Sequence, residues 1–439
     1  MKVLKFGGTS VGSPQRMKDV CKLICEDGEQ KLVVLSAMSG TTNTLVEISK
    51  CYQSGDKAGA AALIDKLKQL YSQHIANLYG TSPYKQNVQK FADGKFEYLL
   101  SFANAPFTEA NEKEILAQGE LISTFMVTSY LCEKGVKAAL LPALDFMRIY
   151  GNSEPDMNYI CENAPKFIDK ESDIQIYITQ GFICRNAKGG IDNLQRGGSD
   201  YTASIIGAAI HAEEIQIWTD IDGMHNNDPR VVKNTRPVRH LLFEEAAELA
   251  YFGAKILHPT CIQPAKTAGI PVRLLNTMEP TAPGTLINNE AESGSIKAVA
   301  AKDNITAINI KSSRMLLAYG FLRRIFEIFE KYKTPIDMIC TSEVGVSMSI
   351  DNPQNLDLIV RELQEFGTVT VDSDMCIICV VGDMKWNNVG FESRALDALS
   401  DIPVHMISYG GSNYNISFLV KEEDKKRALQ RLSDKLFKK

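Results

Sequence analysis

The sequence predicts an α/β protein in which an open, mostly parallel sheet is sandwiched by helices and followed by two small ferredoxin-like modules. Up to about residue 285, short apolar runs alternate with helical stretches, which is typical of a parallel sheet covered by helices. Further along the chain, one pattern of helix, proline, strand, Ser-rich turn and strand occurs twice. These two observations carry the prediction.

The predicted strands of the first part are short apolar runs bounded by turn residues: "KVLKF" at 2–6, then 31–37, 138–143, 174–183, 215–221 and 270–276. Helical patterns lie between several of them, at 13–26, 114–134, 199–212 and 243–252. A longer helical insertion, roughly 44–112, separates the second strand from the third. We expect it to form a helical subdomain beside the sheet.

The segment 278–304 is richer in Pro, Gly, Asn and Ser, and beyond its strand "GTLIN" it predicts a domain boundary. After it, residues 320–350 resemble residues 390–420. The leading strands of the two copies are expected at 305–311 and 375–382, and their second helices at 355–367 and 422–437. We therefore predict a large domain over 1–290 and two modules, over 303–372 and 373–439, which can exchange strands.

Composition places the chain among ordinary folded proteins. Its 439 residues are 44% apolar and 23% charged, which allows a large core. The net charge of −5, with interspersed signs, gives no basic surface for nucleic acid. No apolar run is long enough to span a bilayer and no signal peptide is evident, so we expect a soluble, cytoplasmic protein without a membrane partner.

The ten cysteines are expected to be buried free thiols, as in a reducing compartment. Cys376 and Cys379 form a C-x-x-C motif inside an apolar strand pattern. Because residues three apart on a strand point to opposite faces, this motif is not expected to bind a metal.

The first strand runs into a glycine turn with an unusual order of residues. Lys5 precedes Gly7 and Gly8, and Thr9 and Ser10 complete the turn. A P-loop places its lysine after the glycines, and the spacing also misses the Rossmann fingerprint. Taken alone, a glycine pair after a strand more often forms an ordinary tight turn than a phosphate-binding site.

Further polar side chains collect at other junctions between strands and helices. They are Ser36 and Thr42 after the second strand, Glu120 within a helix, and Arg196, Ser199 and Asp200 at the start of another. Helix N-termini attract anions, and an arginine fork suits a carboxylate or phosphate. Each residue alone has an ordinary structural explanation, but their convergence on one sheet favours an anion-binding site.

A loop after the strand "IQIWTDI" holds Thr219, Asp220 and Arg230, and Lys255 follows near a glycine. In open α/β sheets, ligands lie outside the carboxyl ends of the strands. We therefore interpret this loop as a nucleotide loop.

The segments "KFGGTSV", "TQGFI", "RGGSDYTA", "WTDIDG", "DPRVV" and "FGAKILHP" together resemble the signature segments of aspartokinases, in the amino acid kinase superfamily. The C-terminal repeat is similar to the tandem ACT modules of that family. The resemblance covers nearly the whole chain and implies the amino acid kinase fold. It also implies a monofunctional enzyme, because the homoserine dehydrogenase half of bifunctional relatives is absent.

The resemblance implies transfer of phosphate from ATP to the side-chain carboxylate of L-aspartate, with Mg²⁺ bound through the ATP phosphates and no dedicated metal site. This is the first step toward lysine, threonine, methionine and diaminopimelate. Matching motifs imply a catalytic group of Lys5, Gly7, Gly8 and Asp200. The implied aspartate pocket is Ser36, Thr42, Glu120, Phe182, Arg196 and Ser199, with Arg196 on the α-carboxylate and Glu120 on the α-ammonium. The implied ATP site is Lys5, Gly8, Thr9, Ser10, Thr219, Asp220, Arg230 and Lys255.

The ACT resemblance implies inhibition by an amino acid, with lysine favoured. The matching effector positions are Met315, Gly320, Phe321, Leu322, Asp337, Thr341, Ser342, Glu343 and Val344, and Asp337 is expected to meet the effector's ammonium group. Ala318 stands where a lysine-inhibited relative has a hydroxyl, so threonine or no strong inhibitor remains open. A homodimer or homotetramer through the ACT modules is expected by resemblance. Two alternatives remain: a kinase of another acidic amino acid, or a non-catalytic amino-acid sensor.

Overall fold

The computed structural model describes residues 1–439 except 81–82, 105, 170, 195–196, 254–256, 291–294, 316–318, 386 and 438–439. The chain forms two compact units. The first comprises Met1–Met224 and Ile256–Asn289, and the second comprises His225–Lys255 and Glu290–Lys439. The division into a domain over 1–290 and two modules stays a prediction.

Strands and helices alternate through the first part of the chain. In order they are β1 Lys2–Phe6, α1 Pro14–Cys25, β2 Lys31–Leu35, α2 Thr41–Ser54, α3 Lys57–Leu78, α4 Pro83–Ser101, α5 Glu109–Glu133, β3 Ala138–Leu141, α6 Met157–Asn163, β4 Ile176–Gln180, β5 Ile183–Arg185, β6 Ile191–Asn193, α7 Gly198–Ala209, β7 Ile215–Thr219, β8 His240–Leu242, α8 Phe243–Tyr251, α9 Gln263–Ala268, β9 Val272–Asn276 and β10 Thr285–Asn288. The predicted strands are all present, and α2, α3 and α4 form the predicted insertion. Helix α5 begins before the predicted residue 114, because Thr108 and Asn111 form a capping box ahead of its apolar pattern.

Within the first unit the sheet runs in the order β3-β4-β2-β1-β7-β9-β10. Its neighbouring strands are parallel except for β9 and β10, which pair antiparallel. The open, mostly parallel sheet predicted from the sequence is therefore confirmed.

Alternation along β1 decides which side chains meet which helices. Leu4 and Phe6 pack in one apolar core with residues of α1, α2, α3, α4 and α5. Val3 and Lys5 point to the opposite face, because successive strand residues alternate, and α7 packs against β1 on the sheet. This alternation turns the Lys5 side chain toward α7.

Helix α5 lies largely inside the first unit. Among the described helices it has the length and apolar composition to cross a membrane. This differs from the expectation that no apolar run of the chain is long enough. Of that apolar stretch, 78% is buried, as in the core helix of a folded domain.

The second unit contains the repeated pattern. After β8 and α8 its elements are β11 Ile296–Lys311, α10 Phe321–Lys331, β12 Ile339–Thr341, β13 Gly345–Ile350, α11 Leu356–Leu363, β14 Thr368–Gly382, α12 Phe391–Ala398, β15 Met406–Tyr409, β16 Asn415–Lys421 and α13 Lys425–Phe437. From β11 onward the strands run in the order β12-β13-β11-β14-β16-β15.

Two long strands connect the two copies of the repeat. The second half of β11 pairs with β13, and β11 pairs with β14 along nearly its whole length. The second half of β14 pairs with β16. Strand β11 starts at Ile296, so the part of 278–304 that we assigned to a domain boundary is partly strand. Its polar stretch around Asn304 is a register shift in the ladder and not a linker.

The cysteines are free thiols, as predicted. Cys376 and Cys379 are fully buried, and only Cys376 belongs to the core formed with α12 and α13. The expectation that all ten are buried is wrong for Cys161, which is exposed, and for Cys25, Cys51, Cys132 and Cys340, which are only partly buried.

Candidate active site

Four strands of the first unit end at the same level of the sheet. The last residue of β1, Phe6, pairs with Leu35 at the end of β2, which in turn pairs with Gln180 at the end of β4. Phe6 also pairs with Trp218 near the end of β7. Because these carboxyl ends coincide, the loops that follow them meet at one edge.

Helix α7 begins at this edge with Gly197 as its N-cap. Its first turn carries Asp200, and the Nζ atom of Lys5 lies 2.6 Å from Asp200 Oδ1. The two side chains are 11% and 17% exposed, so the ion pair is largely shielded from solvent. The structure thus brings together the two charged residues of the predicted catalytic group.

The turn after β1 touches the loop after β2. The Ser10 N–H donates to the Gly7 carbonyl, and the Ser39 N–H donates to the Gly8 carbonyl. A Cβ atom on Gly8 would lie 2.8 Å from the Ala37 carbonyl oxygen, so this approach requires glycine. Both glycines of the predicted catalytic group therefore belong to a tightly packed turn beside Lys5.

Two serines of the predicted aspartate pocket meet at the same edge. The Ser36 hydroxyl donates to Ser199 Oγ at 2.9 Å, which connects the loop after β2 to the first turn of α7. A Cβ atom on Gly181 would lie 2.3 Å from Ser199 Oγ, so the loop after β4 also packs directly against this serine. Thr42 lies half-buried in the first turn of α2.

Glu120 is a buried carboxyl group on α5. It is 3% exposed, and its Oε1 atom accepts a hydrogen bond from the Ala37 N–H at 3.1 Å. Burial raises the pKa of Glu120 to about 7, although hydrogen bonds from backbone N–H groups oppose the shift. Glu120 is thus attached to the loop after β2, and its pKa lies close to neutral pH.

Phe182 adopts a left-handed backbone conformation, with φ of 68°. Its N–H donates to the Thr202 hydroxyl at 2.9 Å, which connects it to α7. Such a conformation is strained for a non-glycine residue and is concentrated at functional sites. The strain supports a role for Phe182 in the pocket, which remains a prediction.

The predicted nucleotide residues are spread over the chain. Thr9 is exposed and Ser10 is buried in the turn after β1. At the end of β7, Thr219 accepts a hydrogen bond from the Ile221 N–H, and Asp220 is exposed.

Arg230 belongs to the second unit, where its guanidinium donates two hydrogen bonds to the carboxylate of Asp228. Arg196 and Lys255 lie outside the described residues. Their predicted contacts with aspartate and with the nucleotide therefore stay predictions.

Sequence reasoning missed two hydroxyl residues at this edge, Thr202 and Thr277. Thr202 holds Phe182, as described above, and Thr277 contacts Ser10 and Thr219. Thr277 directly follows the predicted strand 270–276, so the rule that ligands lie beyond the carboxyl ends of strands could have found it.

The predicted effector residues lie in the second unit. Met315, Gly320, Phe321 and Leu322 stand before and at the start of α10, and the residues from Thr341 to Val344 are exposed around the turn between β12 and β13. Ser342 and Val344 line a cavity of about 620 Å³.

Asp337, expected to meet an effector's ammonium group, already has partners in this structure. Its Oδ1 atom accepts hydrogen bonds from Lys302 Nζ at 2.7 Å and from the Tyr251 hydroxyl at 2.5 Å. Lys302 also pairs with Asp351. An effector's ammonium group would therefore have to compete with Lys302 for this carboxylate.

Comparison with known proteins identifies the class. The amino acid kinase family matches residues 1–276, and an ACT domain matches residues 378–436. Lysine-sensitive aspartokinase 3 of Escherichia coli (strain K12) is 32% identical over 447 residues, covering 99% of each chain.

Two solved structures of E. coli aspartokinase III, each 32% identical, cover the whole chain. The complex with aspartate and ADP, in the R-state, superposes with a TM-score of 0.84. The complex with lysine and aspartate, in the T-state, superposes with a TM-score of 0.82. The chain belongs to the aspartokinases of the amino acid kinase family.

The contact between Gly181 and Ser199 can be tested by adding one methyl group. Gly181→Ala should displace Ser199 and cost about 1–3 kcal/mol, because the added carbon has no space. We expect KM for aspartate to rise and the melting temperature to fall. Gly151→Ala is the matched control, because a Cβ atom there meets nothing within 4 Å. Equal behaviour of the two variants would contradict the assigned contact.

Proposed function

We propose that the protein transfers the γ-phosphoryl group of ATP to the side-chain carboxylate of L-aspartate, giving ADP and 4-phospho-L-aspartate. The observation that carries this proposal is the shielded Lys5–Asp200 pair between a glycine turn and a helix N-terminus. The relative from E. coli, crystallised with aspartate and ADP, supports the choice of substrates.

The chemistry needs positive charge and positioning rather than a general base. A carboxylate is already a nucleophile, and the main obstacle is the repulsion between two anions. Lys5 would neutralise the transferring phosphoryl group, and Asp200 would hold the lysine's ammonium group in place. The backbone N–H groups of Gly8 and Thr9, and those at the N-terminus of α7, would donate to the phosphate oxygens.

Mg²⁺ would enter with the nucleotide, held mainly by the ATP phosphates. The carboxylates of Asp200 and Asp220 lie in the first turn of α7 and just beyond the end of β7, and carboxylate oxygen is the ligand type that Mg²⁺ prefers. When bound, the ion would reduce the negative charge of the phosphates.

Aspartate would be oriented by its α-groups. The carboxylate of Glu120 suits the α-ammonium group and the fork of Arg196 suits the α-carboxylate. Ser36 and Ser199 would contact the substrate between the two, with Thr42 and Phe182 completing the pocket. Within the first unit, Thr219 and Asp220 at the end of β7 would contact the nucleotide.

Regulation by an amino acid would act through the ACT modules. The ACT match and the lysine complex of the E. coli relative support this proposal and favour lysine as the effector. We further propose a cytoplasmic homodimer or homotetramer joined through the ACT modules.

A direct assay tests the activity. The purified protein is incubated with ATP, Mg²⁺, L-aspartate and hydroxylamine, and aspartyl hydroxamate is measured. Glutamate and acetylglutamate in place of aspartate separate this function from a kinase of another acidic metabolite. Nucleotide binding without product, from a folded protein, would instead indicate a non-catalytic sensor.

Lys5→Met should lower kcat by about 10²–10³-fold, because it removes a charge aimed at the transferring group. Circular dichroism should show an intact fold. Lys2→Met is the matched control, since Lys2 lies at the other end of β1 and pairs with Glu29. Near-normal turnover of Lys5→Met would refute the role of Lys5.

The capture of aspartate should depend on pH through Glu120. Below about pH 7 this carboxyl group is protonated and cannot attract an ammonium group, so kcat/KM for aspartate should fall as the pH drops through 7. Glu120→Gln should have a low kcat/KM whose dependence on pH in this range is lost. Glu109→Gln, at the exposed start of α5, should keep the wild-type profile. An unchanged profile in Glu120→Gln would exclude this residue as the titrating group.

The effector can be identified by repeating the assay with lysine, threonine and methionine. If one of them inhibits, Glu343→Ala should raise the concentration of that amino acid needed for inhibition several-fold. It should change kcat little, because Glu343 is exposed on the second unit. Parallel losses of inhibition and of catalysis would count against Glu343 as an effector contact.

A further inference from the structure

We propose that Thr277 is a positioning residue for phosphoryl transfer, which connects the phosphate-binding turn to the end of the strand that carries the nucleotide loop. The proposal rests on the proposed function. Thr277 is not among the residues implied by the resemblance, and the evidence for its role is a set of contacts within the first unit.

Thr277 stands just beyond the end of β9, two strands away from β1. Asn276, the last residue of β9, pairs with Thr219 at the end of β7, and β7 pairs in turn with β1. Neighbouring strands are about 4.8 Å apart, so a group after β9 must cross the end of β7 to reach the turn after β1.

Thr277 makes both contacts that this crossing requires. Its N–H donates to the Thr219 carbonyl at 2.8 Å, and its Oγ1 atom lies 2.9 Å from Ser10 Oγ, a hydrogen-bonding distance. Ser10 is 1% exposed, and its N–H closes the turn on the Gly7 carbonyl. One residue therefore joins the loop ends of three strands.

A local turn holds Thr277 in this position. The Asn276 side chain accepts a hydrogen bond from the Met278 N–H at 2.9 Å, and its carbonyl accepts one from the Glu279 N–H at 3.2 Å. This Asx-type turn directs the chain back over the sheet edge.

The consequence concerns the glycine turn beside Lys5. Glycines leave a backbone free to move, yet donors aimed at a phosphoryl group help only if they are already in place. The hydroxyl pair between Ser10 and Thr277 restricts this turn. The hydrogen bond from the Thr277 N–H to Thr219 also fixes the position of the turn relative to the nucleotide loop. Losing the anchor should therefore affect turnover more than the capture of aspartate.

Thr277→Val removes the hydroxyl and keeps both the shape and the backbone bond to Thr219. We expect kcat to fall by about 10- to 100-fold. KM for ATP should rise, and KM for aspartate should change by less than about 3-fold. Thr277→Ser restores the hydroxyl and should recover most of the turnover, which a purely steric role of Thr277 would not predict.

Ser172→Ala is the control, because it removes another hydroxyl pair of the same unit, with Tyr177 at 2.9 Å, ahead of β4 and away from the site. It should show wild-type kinetics. Ser10→Ala removes the same hydroxyl pair from its other side. In the double variant, the loss of turnover should be smaller than the product of the losses in Ser10→Ala and Thr277→Val. If Thr277→Val does not fold, Thr277→Ala tests the pair in its place, by a loss of kcat that Thr277→Ser does not show.

Wild-type turnover in a folded Thr277→Val, or in Ser10→Ala, would overturn the proposal, as would fully multiplicative losses in the double variant. These outcomes differ from a failure of the proposed function, in which the wild-type chain itself makes no aspartyl hydroxamate.

Discussion

The ion pair between Lys5 and Asp200 sets the main constraint on the first unit. One partner is on a central strand and the other is in the first turn of a helix, so the strand and the helix must be held within one hydrogen-bond length of each other. The desolvation of two shielded charges offsets much of their attraction, so such a pair contributes little net stability. The desolvation cost of the Lys5–Asp200 pair is therefore better explained by a site that needs a fixed positive charge than by a gain in stability.

The glycines around this pair follow from the same constraint. The turns after β1, β2 and β4 crowd against one another and against the first turn of α7, and two of these approaches leave no room for a Cβ atom. Gly8 lies against the backbone of Ala37, and Gly181 lies against Ser199. The edge is therefore built from close backbone approaches, with hydroxyl groups such as those of Ser36, Ser10 and Thr277 joining one loop to the next.

The second unit uses a different construction. Strands β11 and β14 form one long ladder, and each contributes to the pairing of both repeats. The edge strands β12 and β15 also meet, where the Cys340 thiol donates to the Ile407 carbonyl. A helix of the same unit joins in as well: Tyr251 of α8 reaches Asp337, and Glu248 of α8 accepts a hydrogen bond from Ser412. Asp337 thus contacts α8 directly, so a change at Asp337 acts on this helix.

Much of this architecture follows from the sequence alone. The alternation of apolar runs and helical patterns determines the parallel sheet, and the rule of carboxyl ends places Lys5, Ser36 and Asp200 at one edge. The internal repeat likewise predicts the two repeated groups of strands and helices that pair along β11 and β14. These features depend on local periodicity and on chain order, which a sequence records directly.

Only the tertiary structure decided the environments. Burial raises the pKa of Glu120 to about 7 because α5 packs against the loop after β2, 83 residues away in the chain. The polar stretch before residue 305 became strand because β14 supplies its partner, and Thr277 gained its contacts because β9 lies beside β7. Burial and pairing depend on neighbours that are distant in the chain, and residue types and spacing do not specify those neighbours.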